Sequence, residues 1–311
     1  MKRLWYCLVA FFSVLLCVAV SGCKSGNASD TAPKVLRYAF SPQAEQLQGG
    51  GLRTKLMADY LQSQLHMPVE IVRVEGYAPT VEAMRAEKVD MFSGSSLTYL
   101  LAAQKAGAEA IAVRGYPDGT MGGYRSVIAV PKNSPIHSMQ DLKAHAKDLV
   151  FAFAEPASTS GYLYPRVGLQ NAGINPDTDF KKVVFAGNHL ATVMTIKSGK
   201  VDAGGFMVSS MTRLIATHKI ADGDVRVIWT SDLIPNGPYA VRKALPAELK
   251  KRIQAALIEI PTRDPALWNH LQGLYSTMAI SGTTLIPVND ANYDGLRKYA
   301  SQVKDFNFAE K

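Results

Sequence analysis

The chain has 311 residues, 47% of them hydrophobic, which is enough for two lobes of ordinary domain size. Its formal net charge of +8, from 34 basic and 26 acidic side chains, is spread along the sequence rather than gathered in a run. This distribution argues against a nucleic-acid-binding patch and supports only a mild bias toward anionic ligands.

The first 23 residues have the layout of a secretory signal. Lys2 and Arg3 precede an apolar run over residues 4–20, and small residues then lead into Cys23. This order resembles the lipobox of bacterial lipoproteins, so we predict a signal peptide over residues 1–22 and a lipidated Cys23. A transmembrane anchor is the alternative, but the run is short for a span and no basic flank follows it.

The cysteine content limits the chemistry of the mature chain. Cys7 and Cys17 fall within the predicted signal, which leaves Cys23, whose sulfur would carry lipid. We therefore expect no disulfide, no thiolate nucleophile and no cysteine metal site, and we predict no other metal site and no cofactor. Residues 24–33 are rich in Ser, Gly, Ala and Asn, a composition that predicts a flexible tether between the membrane and the folded body.

Strands and helices alternate in the pattern that follows the tether. The predicted order is strand 35–40, helix 52–65, strand 69–74, helix 79–87, strand 89–92 and helix 97–106. Tyr77 is predicted in a turn, and Ser95 in the loop after the third strand. The alternation favours an α/β fold with a mainly parallel sheet, whose ligands bind at the carboxyl ends of the strands.

The same alternation continues through a second half of the chain. The predicted strands are 110–113, 125–130, 149–154, 182–186, 201–206 and 225–230, and the predicted helices are 134–142, 162–172, 190–198 and 207–217. Residues 233–241 resemble an extended return crossing, and the segment from residue 247 onward is predicted to be mostly helical.

A chain that leaves one lobe, builds a second and returns forms a cleft between two lobes. We predict lobe 1 from residues 34–128 and 233–311, and lobe 2 from residues 129–232. Hinge closure around a ligand is the natural motion of this arrangement.

One stretch in the predicted lobe 2 has distinctive chemistry, and we call it the hydroxyl stretch. It reads Glu155-Pro156-Ala157-Ser158-Thr159-Ser160-Gly161-Tyr162 and joins a predicted strand to a helix. Three hydroxyl groups at a helix start can donate to the point that free backbone N–H groups and the helix dipole also face. Such a cup suits a tetrahedral oxyanion, while a plain helix N-cap is the alternative.

A series of short motifs runs along nearly the whole mature chain. The motifs are Tyr77-Ala78, Glu82, Met84-Arg85, Lys88-Val89-Asp90, Gly123-Tyr124-Arg125-Ser126-Val127, Ser134-Pro135-Ile136, Asp141-Leu142, Glu155-Pro156, Ser158-Thr159-Ser160-Gly161, Ala186-Gly187, His189, Val201-Asp202 and Leu233-Ile234-Pro235. In this order and with these spacings, the chain resembles the solute-binding proteins of phosphonate and phosphite ABC transporters. Only the hydroxyl stretch is specific by itself, and the ordered set carries the resemblance.

The resemblance implies a type II periplasmic-binding fold, with two α/β lobes, a hinge and an oxyanion site in the interlobe cleft. The implied ligands are Ser158, Thr159, Ser160, His189, Tyr77 and Tyr124, with Ser95 as a further candidate pocket residue. Tyrosine hydroxyls can donate to an anionic oxygen, and His189 can donate a ring N–H or carry a positive charge. Without the resemblance, a capping histidine and ordinarily packed tyrosines are the alternatives.

Three positions refine what the resemblance implies about the ligand and the site. Related aminoethylphosphonate binders carry acids that pair with the ligand ammonium, at positions that correspond here to Ser209 and Gly237. Neither residue can supply that charge, so we keep both as candidate pocket residues and predict a ligand without an amine. Asp202 also matches the family pattern, but an acid would repel an anion, so we predict a structural role for it.

Three functions fit these observations. The first is a monomeric, lipid-anchored receptor in the cell envelope that passes a small phosphorus oxyanion, such as phosphite or methylphosphonate, to an ABC permease. The second is a receptor of the same fold that signals through a membrane sensor kinase. An enzyme is the least favoured of the three, because no nucleophile or metal set accompanies His189 and Asp202.

Overall fold

A computed structural model describes residues 32–40, 50–277, 281–304 and 306 of the chain. The predicted signal peptide, Cys23 and most of the predicted tether therefore lie outside the described residues. Within the described ranges, no helix combines the length and apolar character that a membrane span requires.

The order of strands and helices agrees closely with the pattern in the sequence. The strands are β1 Leu36–Ala39, β2 Val69–Val72, β3 Met91–Ser93, β4 Ala108–Gly115, β5 Gly123–Tyr124, β6 Ser126–Pro131, β7 Val150–Phe153, β8 Lys182–Phe185, β9 Ala203–Met207, β10 Val225–Thr230, β11 Ile234–Pro235, β12 Tyr239–Arg242 and β13 Thr284–Pro287. The α-helices are α1 Gly50–Leu65, α2 Tyr77–Arg85, α3 Ser96–Ala106, α4 Met139–His145, α5 Tyr164–Asn171, α6 His189–Lys197, α7 Val208–Ala216, α8 Ala247–Ile258, α9 Ile260–Arg263, α10 Pro265–Thr277 and α11 Asp294–Ala300. Short 3₁₀ turns cover Ala146–Asp148 and Asp290–Tyr293, and a π-helical turn covers Thr159–Leu163.

The larger sheet has the strand order β13-β4-β12-β3-β1-β2 among the described residues. Strand β1 pairs in parallel with β2 and β3, whereas β12 lies antiparallel between β3 and β4, and β13 is antiparallel to β4. The prediction of a mainly parallel sheet is therefore wrong, because the returning chain inserts β12 between strands that run the other way. The predicted return crossing itself is confirmed by β12.

The second sheet is also mixed, with the order β10-β6-β9-β7-β8. Strand β7 is parallel to β8 and β9, and β6 is antiparallel to β9 and β10. A short ribbon of β5 and β11, in which Ile234 pairs with Tyr124, lies where the chain passes from one sheet to the other. The described residues fall within one compact unit, so the division into lobes at the predicted boundaries stays a prediction.

One prediction about local structure is confirmed by the fold and one is corrected. The segment from residue 247 onward is mostly helical as predicted, although Thr284–Pro287 forms the edge strand β13. Tyr77 is the first residue of α2 rather than part of a turn. In both places a partner far along the chain decides the conformation: β4 pairs with β13, and the side chain of Glu155 binds the start of α2.

Aromatic packing braces the helix that follows the hydroxyl stretch. Tyr164 stacks on Tyr299 with ring centroids 4.3 Å apart, and Tyr162 meets Phe306 edge-on at 5.9 Å. Tyr162 also packs against Phe153 at 4.9 Å. Tyr299 and Phe306 thus lie against α5 and the π-helical turn before it, and they help to fix the helix that follows the hydroxyl stretch.

A buried carboxylate at the start of β3 links other strands of the first sheet. The carboxylate of Asp90 is fully buried and accepts hydrogen bonds from Arg37 at 2.7 and 2.8 Å and from Arg242 at 3.0 Å. Burial opposes its ionisation, but the bonds from Arg37 outweigh that effect and hold the pKa of Asp90 below its usual value. This contact cross-links β1 to β12, and it gives the family-like residue Asp90 a structural role.

Candidate functional site

The hydroxyl stretch lies between β7 and α5, which confirms the predicted order of strand, turn and helix. Ser158 is the N-cap, and its Oγ accepts from the backbone N–H of Gly161 at 3.0 Å. The helix opens with a π-helical turn, in which Leu163 N–H donates to the carbonyl of Ser158 at 3.1 Å. In the described part of the chain, the backbone N–H groups of Thr159 and Ser160 have no hydrogen-bond partner. They are therefore available to a ligand.

His189 is the first residue of α6 and is only 2% exposed. Its Nδ1 accepts from the backbone N–H of Met207 at 3.0 Å, and its Nε2 lies 3.3 Å from Oγ of Ser158. Because Nδ1 accepts, the ring proton belongs on Nε2, which makes this nitrogen a donor. Burial lowers the pKa of His189 to about 3. The ring is therefore neutral with an N–H donor rather than a cation, and donation of that N–H to a ligand stays a prediction.

Gly161 permits the close approach of the histidine. A Cβ at this position would lie 2.4 Å from Cβ of Ala154, 2.8 Å from Cε1 of His189 and 2.9 Å from Oγ of Ser158. These distances are far below ordinary contact distances, so any side chain here would displace the site. The glycine in the motif is thus a packing requirement.

Tyr124 brings a phenol group to the hydroxyl stretch from β5. Its hydroxyl interacts with the side-chain hydroxyls of Ser160, Thr159 and Ser96, and burial raises its pKa, so the phenol keeps its proton. Oγ1 of Thr159 also accepts from the backbone N–H of Leu97 at 2.8 Å. Thr159, in the turn after β7, therefore contacts the start of α3. Ser96 is a neighbour of the site that sequence analysis did not single out.

Glu155 holds the start of α2 against the hydroxyl stretch. Its carboxylate accepts from the backbone N–H of Tyr77 at 2.7 and 3.0 Å and from that of Ala78 at 3.0 Å. A carboxylate at a helix N-terminus is stabilised by both the free N–H groups and the helix dipole. The contact brings Tyr77, whose side chain is 4% exposed, beside the stretch from 78 residues away. Sequence reasoning assigned no role to Glu155, because its partners are backbone atoms.

The three further candidates occupy different environments. Ser95 caps α3, and its Oγ lies 3.4 Å from the carbonyl oxygen of Ala157 in the hydroxyl stretch. Ser209 is 1% exposed in α7, and its Oγ has no hydrogen-bond partner within the described ranges. A Cβ on Gly237 would lie 1.8 Å from the carbonyl oxygen of Gly94. Position 237 therefore cannot hold an acidic side chain in this backbone arrangement.

Asp202 lies outside this set of hydroxyl and imidazole groups. Its Oδ2 accepts from the backbone N–H of Val150 at 2.7 Å, and its own N–H donates to the carbonyl of Val150. It links the start of β7 to the segment before β9, which confirms the predicted structural role. In the part of the chain that the structure describes, no cluster of histidine, cysteine or acidic side chains could hold a metal ion.

The chain is similar in sequence to proteins of a known family. A family model described as ABC transporter, phosphonate, periplasmic substrate-binding protein matches residues 51–293. A phosphonates-binding periplasmic protein of Escherichia coli (strain K12) is 28% identical over 248 residues, which cover 71% of this chain and 73% of that protein. A probable ABC transporter phosphite-binding protein of Prochlorococcus marinus (strain MIT 9301) is 31% identical over 201 residues, or 63% of this chain and 66% of that protein.

A solved structure shares the fold. It is that of PhnD1 from Prochlorococcus marinus (MIT 9301) in complex with methylphosphonate, with a TM-score of 0.72 and 21% identity. The match covers 88% of this chain and 99% of that one. The implied type II periplasmic-binding fold is confirmed.

Proposed function

The chain belongs to the phosphonate-binding family of periplasmic substrate-binding proteins of ABC transporters, and we propose that it captures a small phosphorus oxyanion that lacks an amine. Phosphite and methylphosphonate are the ligands that this proposal favours. The protein acts as a non-enzymatic, monomeric receptor, tethered by lipid on Cys23, which delivers the oxyanion to its permease. The ligand lies between the two predicted lobes, at Ser158, Thr159, Ser160, His189, Tyr77 and Tyr124.

The observation that carries this proposal is the donor geometry around Ser158. Its hydroxyl lies between the N–H of Gly161 and the neutral ring of His189, beside the unpartnered N–H groups of Thr159 and Ser160. Hydrogen bonds from such buried donors to a charged oxygen are worth about 1.5 to 3 kcal/mol each. A tetrahedral anion can accept several of them together.

The absence of an amine from the ligand is supported by two positions. Gly237 has no room for a carboxylate, and Ser209 presents an uncharged hydroxyl. A ligand ammonium without a carboxylate partner would lose several kcal/mol of hydration on burial. The names of the relatives agree with the oxyanion class, since one is a phosphonates-binding protein and another a probable phosphite-binding protein.

Competitive calorimetry tests the proposal with phosphite, methylphosphonate and aminoethylphosphonate. We expect the amine-bearing ligand to bind at least tenfold more weakly than methylphosphonate, a difference of about 1.4 kcal/mol. Ser209→Asp should then improve aminoethylphosphonate binding relative to methylphosphonate, and Ser209→Asn, of similar size but uncharged, should not. Tighter binding of aminoethylphosphonate by the unmodified protein would refute the amine-free assignment, and failure of all three ligands would refute the oxyanion class.

A further inference from the structure

Five consecutive backbone carbonyls of the hydroxyl stretch already accept hydrogen bonds from the protein. Two of these carbonyls accept from side-chain hydroxyls: Ala157 from Thr98 Oγ1 at 3.3 Å, and Ser160 from Ser126 Oγ at 2.6 Å. Two accept from backbone N–H groups of the following turn and helix: Ser158 from Leu163 at 3.1 Å, and Thr159 from Tyr164. The carbonyl of Gly161 accepts from the backbone N–H of Ala154 at 2.8 Å. An unbroken run of five carbonyls is thus engaged by the protein itself.

Three side-chain acceptors around the stretch are engaged as well. Oγ of Ser158 accepts from Gly161 N–H and faces the protonated Nε2 of His189, which together use both of its lone pairs. The carboxylate of Glu155 accepts from two N–H groups at the start of α2. Nδ1 of His189 accepts from Met207 N–H.

Donors, in contrast, remain available at the same place. The hydrogen of the Ser158 hydroxyl has no acceptor in the described part of the chain, and neither do the N–H groups of Thr159 and Ser160. A protonated ligand oxygen would place its own O–H donor next to these protein donors. It would leave a buried polar hydrogen unpaired, which is costly, whereas a bare oxygen can accept from all of them.

We propose that this site binds its phosphorus oxyanion fully deprotonated, so that below the second pKa of the ligand, binding releases one proton to the solvent. This inference rests on the proposed function and specifies the protonation state of the ligand. The titratable groups near the site are Tyr124 on β5, His189 on α6 and Glu155 at the start of the hydroxyl stretch, which binds the backbone N–H of Tyr77 on α2, with Tyr164 and Tyr293 close to Tyr124. Since Nδ1 of His189 is occupied by Met207 N–H and Glu155 is bound to α2, neither is placed to take up the ligand's proton.

Proton-linked calorimetry of the purified protein tests this inference with methylphosphonate. Titrations in buffers of different ionisation enthalpy count the protons exchanged, and we expect about one released below the ligand's second pKa and none above it. The apparent affinity should fall roughly tenfold per pH unit below that pKa. Methanesulfonate, which has the same shape but no second proton, should show neither effect.

The outcomes separate this inference from the function on which it rests. Binding of methylphosphonate without proton release, or with an affinity that stays constant across its second pKa, would overturn the inference and leave the proposed function standing. Absence of binding to methylphosphonate and to phosphite at every pH would overturn both. A pH dependence of the same size for methanesulfonate would assign the effect to the protein and would also overturn the inference.

Discussion

Ser158 performs two tasks with a single hydroxyl group. Its oxygen accepts from Gly161 N–H, which caps the helix, and it also faces Nε2 of His189. The hydrogen of the same hydroxyl is then directed away from both neighbours and can reach a ligand. The N-cap and the anion cup were alternatives when judged from sequence, and the geometry allows one residue to serve as both.

Ser158→Ala should therefore affect binding and stability by different amounts. We expect the affinity for methylphosphonate to fall about 10- to 100-fold, because a hydrogen bond to a charged group is worth roughly 1.5 to 3 kcal/mol. The free energy of unfolding should fall by about 1 kcal/mol through loss of the cap. Titration calorimetry and denaturant unfolding measure the two effects.

Ser138 offers a matched control for the capping effect. It is the N-cap of α4, where its Oγ accepts from Asp141 N–H at 3.1 Å. Ser138→Ala should lower the free energy of unfolding by a similar amount and leave the affinity unchanged. Equal effects of the two substitutions on affinity would show that Ser158 acts through stability alone.

His189 should make the stability of the protein depend on pH. Its folded pKa, lowered to about 3, is below the usual value of 6.5, so between these values the unfolded chain binds one proton more than the folded chain. The stabilising contribution is complete above pH 6.5 and is lost as the pH falls toward 3, at about 1.4 kcal/mol per pH unit. Replacement by a residue that does not titrate should remove this slope.

Unfolding titrations of the unmodified protein and of His189→Gln at several pH values check this prediction. Between pH 6.5 and pH 5, the unmodified protein should lose about 2 kcal/mol more than the variant. That window lies above most carboxylate titrations, so the difference reports mainly on the histidine. Parallel curves for the two proteins would contradict a buried, neutral His189.

At the scale of elements, Glu155 connects the turn after β7 with the N-terminus of α2. Because α2 follows the first sheet's β2 and the turn belongs to the second sheet, the contact spans the predicted cleft. The carboxylate suits the positive end of the helix dipole. We infer that this contact stabilises the ligand-bound arrangement of the two sheets.

Glu155→Gln should weaken ligand binding without touching the oxyanion. Loss of the charge at the helix N-terminus is worth about 1 kcal/mol, which corresponds to roughly fivefold in affinity for methylphosphonate. Calorimetric titration measures the change. Asp141→Asn is the matched control, since Asp141 lies in the first turn of α4 and accepts locally from His137 N–H. If only the free energy of unfolding falls, the contact must persist whether or not ligand is bound.

The sequence predicted elements well where the signal is local, and less well where it depends on distant partners. Short apolar runs placed the strands β7 and β9, and the hydroxyl residues from Ser158 onward marked the helix start after β7. Thr284–Pro287 is short and ends in proline, so its pairing with β4 decides that it is a strand. The same reason explains why the role of Glu155 was not predicted, because the binding of a carboxylate to backbone N–H groups of a distant helix has no sequence signature.

At the scale of the whole molecule, the predicted lipid anchor is a separate question from the fold. Cys23→Ser removes the thiol that would carry the acyl chains, so we expect the variant in the soluble fraction after cell fractionation. Cys17→Ser is the matched control, because Cys17 lies within the predicted signal and should leave anchoring intact. A processed Cys23→Ser protein that stays in the membrane fraction would contradict the lipoprotein prediction.

The burial of the site also affects how fast a ligand can exchange. Tyr124, the most exposed of the six predicted ligand contacts, has an exposed fraction of only 7%, and Ser158 and Thr159 have none. A ligand held among these side chains can exchange only while the sheets move apart. If the proposed function holds, the residence time of the oxyanion is set by how often the protein opens, and we predict that contact with the permease speeds that opening.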